Sequence, residues 1–255
     1  MRRGRAVLLA IAFSFAVPVA SAQPIFLVTL GDSLTQGDGD EAGGGYPPRL
    51  LKSVESDSPG STLKNFGQSG WTSDDLINTQ LQPAVAALKA APAGNSKVAL
   101  VWIGSNDLFG LYNWVCDEDF RNDYAACEAD GMRIFADNIE TILTSLKATG
   151  ARLYVALLDD QSKRPVMTDP ALRSSSFDKI TADDAPKMSA QTRKYNAAIR
   201  KSAAAHGATT VDFFDTAIFE SAATLSEDGN HPNGAGYAAI AKIWHQAITG
   251  SKPGN

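Results

Sequence analysis

Apolar residues fall in short, unbroken runs along this chain. Ile25–Leu30 (IFLVTL) is continuous rather than alternating, the pattern of a strand buried on both faces. Lys97–Ile103 (KVALVWI) and Arg152–Leu158 (RLYVALL) repeat it, and Thr62–Phe66 and Thr209–Phe213 (TTVDF) are weaker runs of the same kind. Helical stretches fit between them: Tyr46–Ser56, Ser73–Ala91 with a break near Pro83, Met132–Ala148, Lys187–Ala205 with a stop at His206-Gly207, and Gly234–Ile248. Phe109–Gly131 and Asp159–Pro186 fit neither type and read as long loops, which more often wall a pocket than fill space. Strands alternating with helices predict an α/β fold, one doubly wound parallel sheet with helices on both faces. Ligands of such sheets bind beyond the carboxyl ends of the strands.

The first 22 residues stand apart from this pattern. Arg2, Arg3 and Arg5 precede an apolar run from Ala6 to Ala20, and Ala20-Ser21-Ala22 supplies a small-x-small cleavage pattern. The run is too short to span a bilayer and Pro18 interrupts it, so a signal peptide is expected rather than a retained anchor. The expected mature chain, Gln23 to Asn255, is one domain bound for the periplasm or the exterior.

Composition narrows the classes further. At 44% apolar residues the chain is no disordered tail, collagen or coiled coil. Loss of the three leader arginines takes the net charge from −5 to −8, and no basic run remains, which argues against nucleic acid or an anionic membrane as partner. The two cysteines, Cys116 and Cys127, are expected to pair in an oxidising compartment, since no His lies within 70 residues to make them catalytic or metal-binding.

The strand ends carry the candidate chemistry. The first strand runs into Gly31-Asp32-Ser33-Leu34, which places a hydroxyl on a strand-to-helix turn. The third runs into Gly104-Ser105-Asn106-Asp107, and the second into Asn65-Phe66-Gly67-Gln68-Ser69-Gly70, where Gly70 lets a backbone N–H approach a ligand. Asp228-Gly229-Asn230-His231 sets a carboxylate three residues before an imidazole, within reach of the ring nitrogen that faces away from substrate. Acyl transfer needs this set. Ser33 would be the nucleophile, His231 its base and Asp228 the orienting acid, with the Ser33 and Gly70 N–H groups and the Asn106 amide as oxyanion donors.

In their order and placement these blocks resemble the SGNH (GDSL) hydrolase family, with GDSL after the first strand, a glycine block, GxND after the third strand and a late DxxH. The likeness runs over about Ile25 to His245. It implies a flavodoxin-like three-layer α/β/α sandwich with five parallel strands, and hydrolysis of small-molecule or lipid esters and thioesters without metal or cofactor. The assignments of Ser33, Asp228, His231, Gly70 and Asn106 carry over position by position. Transfer to an alcohol acceptor, a carbohydrate O-acetylesterase and a non-catalytic binding module remain alternatives on the same fold.

Other residues have plainer readings. His206 sits at a helix C-terminus, where a cationic ring suits the dipole, and His245 lies within the last helix. Gly67-Gln68-Ser69-Gly70-Trp71 misses the G-x-S-x-G elbow by one residue, which makes Ser69 a rival nucleophile. Asp38-Gly39-Asp40-Glu41 begins like a calcium loop, but Ala42 and Arg49 stand where ligands belong, so a solvated loop is expected. Asp107 reads as structural, and Trp71 and Trp114 as pocket or packing residues.

Overall fold

The computed structural model describes residues 22–116 and 123–250. The expected leader and its cleavage site lie outside the described residues, apart from Ala22. Five strands, β1 (Ile25–Gly31), β2 (Thr62–Asn65), β3 (Ser96–Trp102), β4 (Arg152–Leu157) and β5 (Thr209–Asp212), form one parallel sheet in the order β2-β1-β3-β4-β5. That is the flavodoxin-like order, with β1 and β3 flanking the switch point. Every residue of β1 is buried, as its unbroken apolar run requires, whereas the edge strands β2 and β5 are mostly exposed and polar.

The helices are α1 (Ser33–Gln36), α2 (Tyr46–Asp57), α3 (Ser73–Asp75), α4 (Gln82–Lys89), α5 (Ser105–Gly110), α6 (Tyr124–Lys147), α7 (Pro165–Thr168), α8 (Pro170–Ser176), α9 (Ala185–His206) and α10 (Gly234–Thr249). On one face of the sheet α2 packs against α10; on the other lie α4, α6 and α9. Each face has its own aromatic core. Trp102 stacks on Phe213 at 4.1 Å between ring centroids, with Tyr46, Phe219 and Trp244 around them. On the opposite face Phe135 of α6 stacks on Tyr195 of α9 at 4.2 Å. Such pairs add about 0.5–1.5 kcal/mol beyond the area they bury.

Three stretches differ from expectation. Pro83 does not break its helix: a π-helical segment, Leu76–Leu81, runs directly into α4, of which Pro83 is the second residue. Much of Phe109–Gly131 is helical, because α5 continues as a π-helical turn over Leu111–Val115 and α6 starts eight residues early. Asp123 caps α6 by accepting from Ala126 N at 3.0 Å, and Gly131 serves close packing, since a Cβ there would lie 2.7 Å from Leu111 Cδ1. Asp159–Pro186 likewise holds α7, α8 and two 3₁₀ turns rather than open loop.

Cys116 and Cys127 form the expected disulfide, tying the π-helical turn to the start of α6 with Cα atoms 5.9 Å apart. Among the described residues no helix is long and apolar enough to cross a membrane. Closing a loop of this size constrains the unfolded chain by about 3 kcal/mol. Replacing both cysteines by alanine is therefore expected to lower the unfolding free energy by about that amount in urea titrations. An unchanged midpoint and slope would show that the bridge adds nothing to stability.

Candidate active site

The site forms where β1 and β3 end. β1 passes into α1 through Gly31, at φ +157°, where a Cβ would collide with the Trp102 carbonyl oxygen and with Thr35 Oγ1. Only glycine passes there. Its peptide groups are held by the amide of buried Gln80, which donates to Gly31 O at 2.8 Å and accepts from Gly31 N at 3.0 Å. Asp32 caps α1, accepting from Leu34 N at 3.0 Å. Ser33 is thus the first residue of the helix, with its backbone N–H among those that no intrahelical carbonyl satisfies.

Ser33 Oγ lies 2.9 Å from His231 Nε2, and His231 Nδ1 lies 2.6 Å from Asp228 Oδ2. These three residues make one continuous hydrogen-bonded chain, although Ser33 and His231 are 198 positions apart. The Asp228–His231 turn is internally fixed. Asp228 Oδ1 accepts from Ser226 Oγ at 2.7 Å, Asn230 N at 2.8 Å and His231 N at 3.0 Å. Partial burial pushes the Asp228 carboxyl up, but the bonds from His231, Ser226 and the two backbone N–H groups outweigh it, and the acid lies well below the usual carboxylate range. Its charge persists through neutral pH.

Asp32 behaves in the opposite way. Full burial pushes its carboxyl up to about 7, only partly opposed by the Leu34 N–H and by the Arg164 and His231 charges. Its Oδ2 makes no hydrogen bond within the protein.

Gly70 and Asn106 lie on the loop after β2 and at the start of α5, and one hydrogen bond joins the two segments. Gly70 takes φ +82°, and the direction a Cβ would occupy is open. The neighbouring Ser69 ties the loop to α1 and the residues just past it: its N–H donates to Gln36 Oε1 at 2.8 Å and its Oγ to Asp38 Oδ2 at 2.6 Å. Asn65 adds a second tie, donating from Nδ2 to Thr35 O at 2.9 Å. On the other side, Asn106 Nδ2 donates to Trp71 O at 2.9 Å, and its second N–H lies outside that bond. Asn106 and Gly70 are therefore linked through the Trp71 peptide. Neither is hydrogen-bonded to Ser33.

The competing residues are used elsewhere. Ser69 Oγ is bonded to Asp38, with no imidazole beside it. His206 pairs with Glu140 and His245 with Asp57, each at 2.7 Å and each on an outer helix. Arg49 forms a salt bridge with Asp40, so a guanidinium already neutralises the loop that began like a calcium site. Asp107 anchors the start of α3, accepting from Ser73 N and Oγ; burial pushes it up to about 6 against those bonds. The Trp71 indole donates to Thr79 Oγ1, and Trp114 is 62% exposed. Among the described residues no group of three or more His, Cys, Asp or Glu is arranged to hold a metal ion.

Sequence reading passed over Gln80, Asn65, Asp159 and Arg164, which fix the site's frame. A signal was present for Asp159, a carboxylate that directly follows a buried strand at the ligand-binding edge. Gln80 carried none, because its role depends on the π-helical turn.

Against families of known proteins, residues 29–239 match the GDSL-like Lipase/Acylhydrolase family. Among individual proteins, the chain is 24% identical over 234 residues to the uncharacterized protein YpmR of Bacillus subtilis, covering 88% of this chain and 81% of that one. Its fold is similar to that of LAE5, an α/β hydrolase from the metagenome of Lake Arreo (TM-score 0.60, 23% identity, 89% of this chain and 96% of that one). It is also similar to a variant of Axe2, an acetyl xylan esterase from Geobacillus stearothermophilus (TM-score 0.60, 20% identity, 89% and 95%). The psychrotrophic esterase EstA from Pseudoalteromonas sp. is similar as well (TM-score 0.60, 17% identity, 88% and 97%). The chain belongs to the GDSL-like lipase/acylhydrolase family and is a carboxylic ester hydrolase.

Proposed function

We propose that this hydrolase works through an acyl-enzyme on Ser33, with His231 as base and Asp228 as the residue that orients it. The observation that carries this reading is the hydrogen-bonded chain from Asp228 through His231 to Ser33. A serine hydroxyl is a weak nucleophile until its proton has somewhere to go. Asp228 accepts from His231 Nδ1–H, which leaves Nε2 with a lone pair toward Ser33 Oγ. As Oγ attacks the ester carbonyl, Nε2 takes the proton and later passes it to the leaving alkoxide. Water then repeats the cycle on the acyl-enzyme and releases the acid.

The negative charge on the tetrahedral oxygen is met by the Ser33 N–H, the Gly70 N–H and the Asn106 amide. The left-handed backbone at Gly70 and the open space above it support the approach of substrate there. The leader pattern and the disulfide favour a secreted or periplasmic enzyme. Substrates are small-molecule or lipid carboxylic esters. Acetylated carbohydrate is a second class to test, because one structural neighbour is an acetyl xylan esterase.

With nitrophenyl esters from acetate to palmitate, Ser33→Ala is expected to lose turnover while unfolding as the parent does. Near-normal rates in that variant would remove Ser33 as the nucleophile. Asn106→Ala is expected to lower kcat by about 10²–10³ with little change in KM; a rise in KM alone would make Asn106 a ground-state contact. The buried Asp32 gives a third outcome. Between pH 4 and about 7 the folded protein holds a proton on Asp32 that the unfolded chain has released, so this group's contribution to stability falls as pH rises through that window. Urea unfolding at pH 5 and 8 should therefore show less loss of stability on going to pH 8 in Asp32→Asn than in the parent. Equal losses would mean that Asp32 is ionised in the folded state at both pH values.

A further inference from the structure

One buried cation touches the His231 turn from below. The Arg164 side chain is 1% exposed and that of Asp159 2%. Arg164 Nε and Nη2 donate to the two carboxylate oxygens of Asp159 at 2.8 and 2.7 Å, a bidentate pair. The guanidinium lies 4.6 Å from the centre of the buried Phe219 ring, which fixes its plane. One nitrogen remains, and Nη1 donates to Asn230 Oδ1 at 2.7 Å and to Asn230 O at 3.3 Å. Two residues on, Val166 N donates to Gly229 O at 2.9 Å. Gly229 and Asn230 are the two residues between Asp228 and His231.

Burying an ion pair costs desolvation that its attraction does not reliably offset, so stability alone is a poor reason for this one. Its geometry supplies another. The bonds within the Asp228 turn fix its shape but not its height above the sheet. The contacts from Arg164 and Val166 set that height, and Asp159, just past the end of β4, refers it to the sheet itself. An error of about 1 Å in a reacting group costs on the order of 10² in rate.

We propose that Arg164, clasped by Asp159, is a positioning residue that acts through Asn230 to hold His231 at bonding distance from Ser33. This rests on the reading of Ser33, His231 and Asp228 given above. A lysine cannot replace it, because one ammonium lacks the fork that engages Asp159 and Asn230 together.

The test compares the parent, the apolar pair Arg164→Met/Asp159→Leu, Asn230→Ala and Asn230→Asp. Replacing both charges together avoids leaving one of them buried and unpaired. Nitrophenyl acetate turnover gives kcat and KM, and proton NMR follows the low-field resonance of the His231–Asp228 hydrogen bond. In the apolar pair, kcat is expected to fall on the order of 10²-fold with KM little changed and the low-field resonance shifted or broadened. Asn230→Ala should lose rate in the same direction, and Asn230→Asp, which restores an acceptor for Nη1, should recover it. Parent-like kcat and an unmoved resonance in the folded apolar pair would overturn the proposal. If that pair does not fold, the Asn230 variants decide alone, and equal rates in Asn230→Ala and the parent overturn it. Failure of the underlying reading looks different: Ser33→Ala would stay active and a phosphonate probe would leave the parent unlabelled.

Discussion

The close passage of the chain at Gly31 is the constraint on which the rest depends. There β1 leaves the sheet so near to β3 that no side chain fits between the Trp102 carbonyl and Thr35. Gly31 is the last residue of β1 in register with β3, and there the Gln80 amide bonds both of its peptide groups while Gln68 N also donates to its carbonyl. A buried peptide left unpaired here would cost about as much as a lost hydrogen bond. Ser33 is therefore presented from a turn with almost no freedom. His231 meets that turn through its bond to Ser33, the Gly70 loop through the Ser69 and Asn65 bonds to α1, and Asn106 is held in turn by Trp71 O on that loop.

Those contacts share a logic. The charged groups buried near the strand ends, Asp32, Asp159 and Arg164, and the half-buried Asp107 cluster where the loops must be held, while the interior of the sheet is almost wholly apolar. Each carboxylate meets backbone N–H groups, a hydroxyl or a guanidinium. Asp107 fixes α3, Asp32 caps α1, and Asp159 acts through Arg164. Asp32 is the member with an oxygen left over, and its burial raises its proton affinity.

The architecture was largely legible in the sequence because its strands are continuous apolar runs, and such runs belong to parallel sheets covered on both faces. The residues at the strand ends were legible for a related reason: strand position, glycine and chemistry coincide there. The bridge between Cys116 and Cys127 was expected from their number and from the oxidising compartment that the leader pattern suggests. What could not be read depends on side chains meeting across long separations. Gln80 reaches Gly31 only because a π-helical turn alters the helical phase before Pro83. Gly131 closed the stretch that reads as a loop, yet it lies inside α6 and packs closely on Leu111, so α6 begins earlier than its apolar pattern suggests. Arg164 lay in a stretch without clear periodicity, and its partner Asn230 is 66 residues away.

The distance along the chain between Ser33 and His231 has a consequence for the order of assembly. Ser33 is in place once β1, β3 and the Gln80 segment have come together, and all of these lie in the first part of the chain. His231 arrives with almost the last segment, carried on a turn that leads directly into α10, whose docking against α2 completes its face of the sheet. Until then Ser33 has no imidazole beside it. On the reading proposed for Ser33 and His231, a growing or partly folded chain thus carries an inert hydroxyl until the C-terminal helix closes the fold.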